Sequence, residues 1–284
     1  MEVCVRYLFL FFLFFLFWSV AVRAETLFLG VQPCWDPEKS LVMFQELADY
    51  MSNSLNMRVR LVVYDNAEQF HHDLSRIHFA LQDAYSTYIH RYPERYEPVA
   101  IAVTKEGEAS EIGAIVVRKE SPVKKLQDLR GKSFIFGALH NTPKFFSTWI
   151  LLRKNGLDPL KDFREIGLGG DCLYNAMAVL VGDYEAGAVC ADFLKEREHQ
   201  KISSHLRVLA YTDPAPGWMF TLAPRLGPEL RKKVEEVILR LSPGSQEAKH
   251  VLKHTPWLGF TKPKGNELKK IEQLVHEYRI PETL

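Results

Sequence analysis

The chain has 284 residues, of which 47% are hydrophobic and 25% charged, and a formal net charge of +1. That is globular composition, and it excludes wholesale disorder and fibrous repeats. The length fits one large domain or two lobes with a packed core. A near-zero charge balance argues against a dedicated nucleic-acid binder, and leaves small-molecule binding, partner binding and catalysis open.

The first 24 residues read apart from the fold. Arg6 precedes an apolar run that begins at Tyr7 and ends in Ala21-Val22-Arg23-Ala24. A charged start, a short apolar core and small residues at −3 and −1 describe a secretory signal peptide cleaved before Glu25. The run is shorter than the ~20 residues of a spanning helix, so cleavage is expected rather than a retained anchor. Removing residues 1–24 takes away Glu2, Arg6 and Arg23, which leaves 34 basic and 34 acidic residues. Export makes disulfides possible. Cys4 leaves with the leader, so Cys34, Cys172 and Cys190 remain and form at most one internal pair; three buried small hydrophobes are the other reading. There is no CxxC and no closely spaced Cys/His set, so neither a metal nor a cofactor is expected.

Along the mature chain, 26–32 reads as a strand. Asp36-Pro37 opens a helix, with Asp as N-cap and Pro at the first helical position, and Leu41, Phe44, Leu47, Met51 and Leu55 follow at helical spacing. Strands are expected at 58–64, 77–81, 98–103 and 112–117, with a short helix over 66–75. His71 and His72 lie side by side on that helix, where neighbours do not share a face, and read as solvated. The alternation then repeats: a strand at 133–136, a helix over 143–154 closed by Asn155-Gly156, a strand at 163–167, a helix over 172–181 capped by Asp171, and strands at 186–190 and 206–211. Asp213-Pro214-Ala215-Pro216-Gly217 breaks the chain, and helices over 228–241, 245–253 and 266–277 close it. Strands alternating with helices point to an α/β architecture.

Several phrases are more specific. Leu126-Gln127-Asp128-Leu129-Arg130-Gly131-Lys132 leads into a strand ending Phe136-Gly137. Asn155-Gly156-Leu157-Asp158-Pro159 follows the next helix, then Gly182-Asp183-Tyr184-Glu185-Ala186-Gly187-Ala188-Val189, then Leu206-Arg207-Val208-Leu209-Ala210 and Pro216-Gly217. In this order and spacing they resemble the phosphate/phosphonate-type solute-binding proteins of ABC importers, over about 25–260 and most densely over 126–217. The resemblance implies a type II periplasmic binding protein: two α/β lobes, mixed sheets flanked by helices, a hinge, and a ligand cleft between the lobes. Lobe I would combine 25–117 with 216–284 and lobe II would span 118–215, crossing near Arg118–Pro122 and Asp213–Gly217. A periplasmic location and a monomeric state are expected. The expected partners are a small-molecule ligand and an inner-membrane permease or a sensor protein, with no nucleic acid.

In that family a hydroxyl-rich stretch at a helix N-terminus holds the anionic head group, because free backbone N–H groups and the positive helix end attract an oxyanion. Here that place holds His140-Asn141-Thr142-Pro143, with Thr142 as the expected N-cap. A family Tyr in the loop after the second strand has Asp65 nearest its slot, and Tyr64 fills it if the register slips by one. The next strand ends in Gln82-Asp83-Ala84-Tyr85. Cys172 stands by a family His position, and Cys190 at a position that is often Asp. The ligand-facing set is therefore expected to be His140, Asn141, Thr142, Tyr85, Asp83, Cys172, Tyr64 and Trp218, with Trp35 and Tyr174 as further aromatic candidates for the cleft wall. Asp65, Asp83 and Asp171 would repel a phosphonate unless held by donors, which favours an amine-bearing ligand. Turn and N-cap roles explain the same acids.

Three functions compete on this reading. The first is a binding protein that delivers a small solute, most simply a phosphorus oxyanion, to an importer. The second is a sensor or partner-binding module of the same fold with a different ligand. The third is an enzyme using Cys172, whose place at a helix start lowers a thiol pKa, but no base stands at a matching spacing. Cys172 and Cys190 are also a candidate disulfide, since both fall on the cleft side of lobe II. The expectation is not an enzyme.

Overall fold

Continuous apolar runs without strict alternation suit strands buried on both faces, and the inner strands of the first lobe are such runs. The computed structural model describes residues 26–90 and 96–284; the expected leader lies outside them. Strand β1 (Leu27–Val31) pairs in parallel with β2 (Val59–Val62) on one side and β3 (Phe79–Gln82) on the other. Between β1 and β2 runs helix α1 (Pro37–Leu55), with Asp36 accepting from the Lys39 amide as N-cap and Asn56 closing it in the left-handed conformation. Its Phe44, Leu47, Met51 and Leu55 form the buried stripe. Helix α2 (Ala67–Asp73) follows β2, and α3 (Ala84–Ile89), which periodicity did not reveal, follows β3 directly.

Strand β4 (Glu97–Thr104) leads through a two-residue strand, β5 (Ser110–Glu111), into β6 (Gly113–Arg118). The second lobe continues with β7 (Ser133–Phe136), a π-helical turn (Thr142–Phe146) running into α4 (Ser147–Lys154), and β8 (Glu165–Leu168). Helix α5 (Cys172–Val181) and strands β9 (Ala186–Cys190) and β10 (Leu206–Tyr211) complete it. The chain returns through β11 (Ala215–Pro216) to β12 (Met219–Leu222), α6 (Pro228–Arg240), α7 (Gln246–Val251), β13 (Trp257–Thr261) and α8 (Glu267–Tyr278).

Two main sheets result. One has the order β13-β4-β12-β3-β1-β2 and the other β10-β6-β9-β7-β8, both mixed in direction; β5 and β11 pair with each other where the chain crosses between them. One boundary differs from the sequence reading. Residues 113–117, assigned there to lobe I, lie in β6, which pairs antiparallel with β9 and β10 in the second sheet. The outward crossing is therefore at Ser110–Gly113, not near Arg118–Pro122. An apolar run declares a strand but not the sheet it joins.

The hydrophobic packing explains the relative placement of the lobes. Lobe I has its own core around Phe44, Leu47, Met51, Phe220, Val237 and Trp257. A second cluster crosses the boundary: Tyr85 and Tyr88 of α3 pack with Phe136, Phe145 and Trp149 of lobe II and with Ile271 and Val275 of α8. Close approach at the crossing depends on one glycine. A Cβ on Gly113 would stand 2.2 Å from the Pro143 carbonyl oxygen, so the start of β6 lies directly against the π-helical turn.

Candidate ligand-binding site between the lobes

The C-terminal end of β3 and the start of the Thr142–Phe146 turn meet face to face across the boundary. Asp83 directly follows β3 and caps α3, where its Oδ1 accepts from the Ser86 amide at 3.0 Å. The same carboxylate accepts from lobe II: the Thr142 hydroxyl at 2.8 Å, the Thr142 amide at 3.1 Å and the Asn141 side-chain amide at 3.2 Å. Gln32, at the end of β1, donates at 3.3 Å and also takes the Asp83 amide at 2.8 Å. Asp83 and Thr142 are both 0% exposed. Burial pushes the Asp83 carboxyl up to about 6, against the pull of the Ser86 and Thr142 donors and of Lys144.

The helix start therefore behaves as an oxyanion cradle, and the oxyanion in it is the protein's own. The N-cap is Asn141, which accepts from the Lys144 amide, and not Thr142 as the sequence reading had it. The shift of one residue frees the Thr142 hydroxyl for Asp83, and that hydroxyl in turn accepts from the Tyr85 amide at 2.9 Å.

A second buried set lies behind this contact. Lys144 is 1% exposed and donates to the Gly170 carbonyl at 2.7 Å. Burial alone would lower its pKa, but Cys172 and, more weakly, Asp171 outweigh that and hold the ammonium above its ordinary value. Glu111 keeps a buried carboxyl oxygen without a hydrogen-bond partner. Burial first, then Asp83 and Asp192, push that carboxyl up to about 8. The three cysteines are free. Cys172 Sγ accepts from the Cys190 amide at 3.1 Å; a hydrogen bond from the Cys190 thiol, opposed by burial and aided by Lys144, lowers the Cys172 pKa. Cys34 is pushed up to about 12 by burial.

The expected residues divide as follows. Asp83, Asn141 and Thr142 come together in one network, with Tyr85 joined to it by its amide. The Tyr85 ring stacks on Phe146 at 4.8 Å between centroids, so its face is covered. Cys172 stands at the start of α5, in the field of Lys144. His140 lies beside His71 and His90. Tyr64 packs edge-on against Phe70 in a small cluster with Leu74 and Ile77, and burial raises its pKa. Trp218 is 3% exposed and belongs to the lobe I core, its ring 5.1 Å from Trp35 and 5.8 Å from Trp257. Asp65 and Tyr174 are exposed, and Asp171 caps α5 through the Tyr174 amide. The sequence reading passed over Gln32, Glu111, Lys144 and His90. For His71 the solvated reading is corrected: it is half-buried with its ring 4.1 Å from that of His90, whereas His72 is exposed.

A binding-protein component of an ABC phosphonate transporter from Pseudomonas aeruginosa has a similar structure, with a TM-score of 0.78 and 17% identity over 90% of this chain and 87% of that one. A protein from Prochlorococcus marinus solved with methylphosphonate gives a TM-score of 0.77 at 18% identity, over 91% of this chain and 100% of that one. The periplasmic aliphatic sulphonate-binding protein of Escherichia coli gives 0.58 at 17% identity, over 91% and 89%. These likenesses establish the two-lobe type II periplasmic binding protein fold. The family model for the phosphonate periplasmic substrate-binding protein of ABC transporters matches residues 29–268, and the chain belongs to that family.

Proposed function

We propose that this protein captures a phosphorus oxyanion at the Asn141–Thr142 turn and carries it to the permease of an ABC importer. The family is a substrate-binding transport component, not an enzyme, and works on a small-molecule ligand with a membrane permease. The observation that carries the ligand class is the Asp83 carboxylate itself. Three donors of Asn141 and Thr142 converge on it within 3.2 Å, the arrangement that a tetrahedral oxyanion at a helix start requires. An incoming phosphonate takes these donors from Asp83 as the lobes open and reclose.

A second reading concerns the ligand's other end. Asp83 and Glu111 both keep carboxyl groups in the closed boundary, which suits a ligand that carries an ammonium as well as a phosphonate. Calorimetry with phosphate, phosphite, methylphosphonate and 2-aminoethylphosphonate tests both readings. Thr142→Val removes one of the three donors and should weaken binding of any oxyanion about tenfold or more. Asp83→Ala removes the internal competitor, so it should tighten methylphosphonate about tenfold, one hydrogen-bonded carboxylate being worth about 1.4 kcal/mol. If 2-aminoethylphosphonate is the ligand, Asp83→Ala weakens it. No binding of any of the four compounds would sink the phosphorus-oxyanion assignment.

A further inference from the structure

We propose that His71, His90 and His140 form a site for a borderline divalent cation of the Zn2+ type, and that the bound ion ties the two lobes together. His71 is on α2 and His90 ends α3, both in lobe I; His140 stands just before the Asn141–Thr142 turn of lobe II. Each offers a ring nitrogen, and the three nitrogens lie within 4.8 Å of one another. His71 Nε2 and His140 Nδ1 are 3.3 Å apart. Two nitrogens on a tetrahedral zinc, at ~2.0–2.1 Å from the metal, stand ~3.3–3.4 Å apart. One edge of the coordination figure is therefore already at length, and no edge needs to contract by more than ~1.5 Å.

The surroundings set the rings as ligands. His90 Nδ1 lies 3.3 Å from Gln82 Oε1 and 3.2 Å from Ser86 Oγ. Gln82 is itself oriented, because its Nε2 donates to the Thr221 hydroxyl at 3.1 Å, and that hydroxyl donates to the Ala80 carbonyl. The carboxamide oxygen therefore faces the imidazole and takes its Nδ1 proton, which leaves the Nε2 lone pair for an ion. Ligating histidines are held by an outer acceptor of this kind. His140 is arranged the other way round. Its Nδ1 faces His71, while its Nε2 is buried without a hydrogen-bond partner. An ion on Nδ1 places the proton on Nε2, on the ring that the Glu282 backbone carbonyl influences. Burial, and for His71 and His90 the neighbouring imidazoles, hold all three rings below the ordinary pKa, down to about 4 for His71 and about 2 for His90. Without an ion, one His71–His140 hydrogen bond is the only direct polar contact among the three rings.

Three imidazoles suit zinc, copper, nickel or cobalt and not magnesium or calcium, which take oxygen ligands. A three-histidine site leaves the fourth position open. A second group, Glu196, Glu198 and His199, also meets the spacing. Its acids are exposed, and Glu198 is already paired with Lys39 at 3.0 Å.

The test uses the exported protein without a histidine tag, stripped with EDTA and desalted, then titrated with Zn2+ and separately with Co2+. The expected result is one equivalent bound, a raised unfolding temperature, and the visible absorption of a four-coordinate, nitrogen-rich Co2+ centre. Affinity should fall at least 30-fold in His71→Ala and His90→Ala and 10-fold or more in Gln82→Ala, and stay unchanged in His72→Ala. The Co2+ spectrum reads the wild-type protein, so it holds even if a variant folds poorly. Absence of a saturable equivalent, an octahedral Co2+ spectrum, or binding that survives His71→Ala and is lost in Glu198→Gln would each overturn the proposal.

Discussion

The Thr142 hydroxyl of lobe II donates to the Asp83 carboxylate of lobe I at 2.8 Å and accepts from the Tyr85 backbone amide at 2.9 Å. One side-chain oxygen thus serves both a carboxylate and an amide on the facing lobe, at a place without solvent. Thr142→Val keeps the shape and leaves both partners one bond short. The expected cost is about 1–3 kcal/mol, read as a lower urea midpoint at unchanged slope. Thr142→Ser, which keeps the hydroxyl, should recover most of it. An unchanged midpoint in Thr142→Val would mean that water reaches this contact.

Asp83 also makes stability depend on pH. Its folded pKa is raised, from 3.8 to about 6, so between these values the folded protein holds a proton that the unfolded chain has released. The contribution is complete below about pH 4 and is lost as the pH rises to about 6. At ~1.4 kcal/mol per unit it amounts to ~3 kcal/mol. Urea unfolding at half-unit intervals from pH 4 to 7 should show this decline, superimposed on the titration of other acids. In Asp83→Ala the slope over that window should flatten by close to one proton. A slope that is the same in both proteins would place the Asp83 carboxyl in water.

Much of the fold was legible, because the strands are apolar runs bounded by turn residues and α1 carries its own cap. The second sheet was read nearly residue for residue, apart from β6, whose partners β9 and β10 lie far along the chain. Strands β12 and β13 are short and follow breaks, and their periodicity is too brief to separate strand from turn. The site was legible in part. Asn141, Thr142 and Asp83 were expected to face the ligand from the family resemblance at a helix start and a strand end; the structure brings them into one network, but no spacing reveals that Asp83 fills the cradle. Trp218 and Tyr64 went to packing clusters because a large aromatic next to a hinge or loop is buried wherever a core is within reach. His140 was named as ligand-facing and His71 as solvated, but their grouping with His90 was not read, because the three come from separate segments. Only the fold of α2 over the end of α3 assembles them.

Gly113 joins the crossing segment to the turn that carries Thr142. Its amide donates to the Thr212 hydroxyl at 2.9 Å, and an added Cβ would lie 2.2 Å from the Pro143 carbonyl oxygen. The Pro143 backbone cannot yield as a flexible side chain would. Gly113→Ala should therefore destabilise by about 1–3 kcal/mol and displace the turn. Loss of oxyanion affinity should accompany the lower unfolding temperature. A variant that loses stability but binds with full affinity would show that the strain is taken up in β6 instead.

Ile271 of α8 is buried in the cluster that joins Tyr85 and Tyr88 of lobe I to Phe145 and Trp149 of lobe II. The same helix supplies the Tyr278 carbonyl that accepts from the Trp149 indole at 3.4 Å. If this cluster couples the lobes, truncation at Ile271 weakens both at once. Ile271→Ala should cost about 2–5 kcal/mol and Ile271→Val about 0.5–1.5 kcal/mol. Hydrogen exchange locates the loss: amides of β3 and β12 in the first sheet and of β7 and β9 in the second should lose protection together, because contacts that span two units make their opening cooperative. Faster exchange confined to the first sheet would show that α8 serves lobe I alone and that the lobes are held together by the Asp83–Thr142 network.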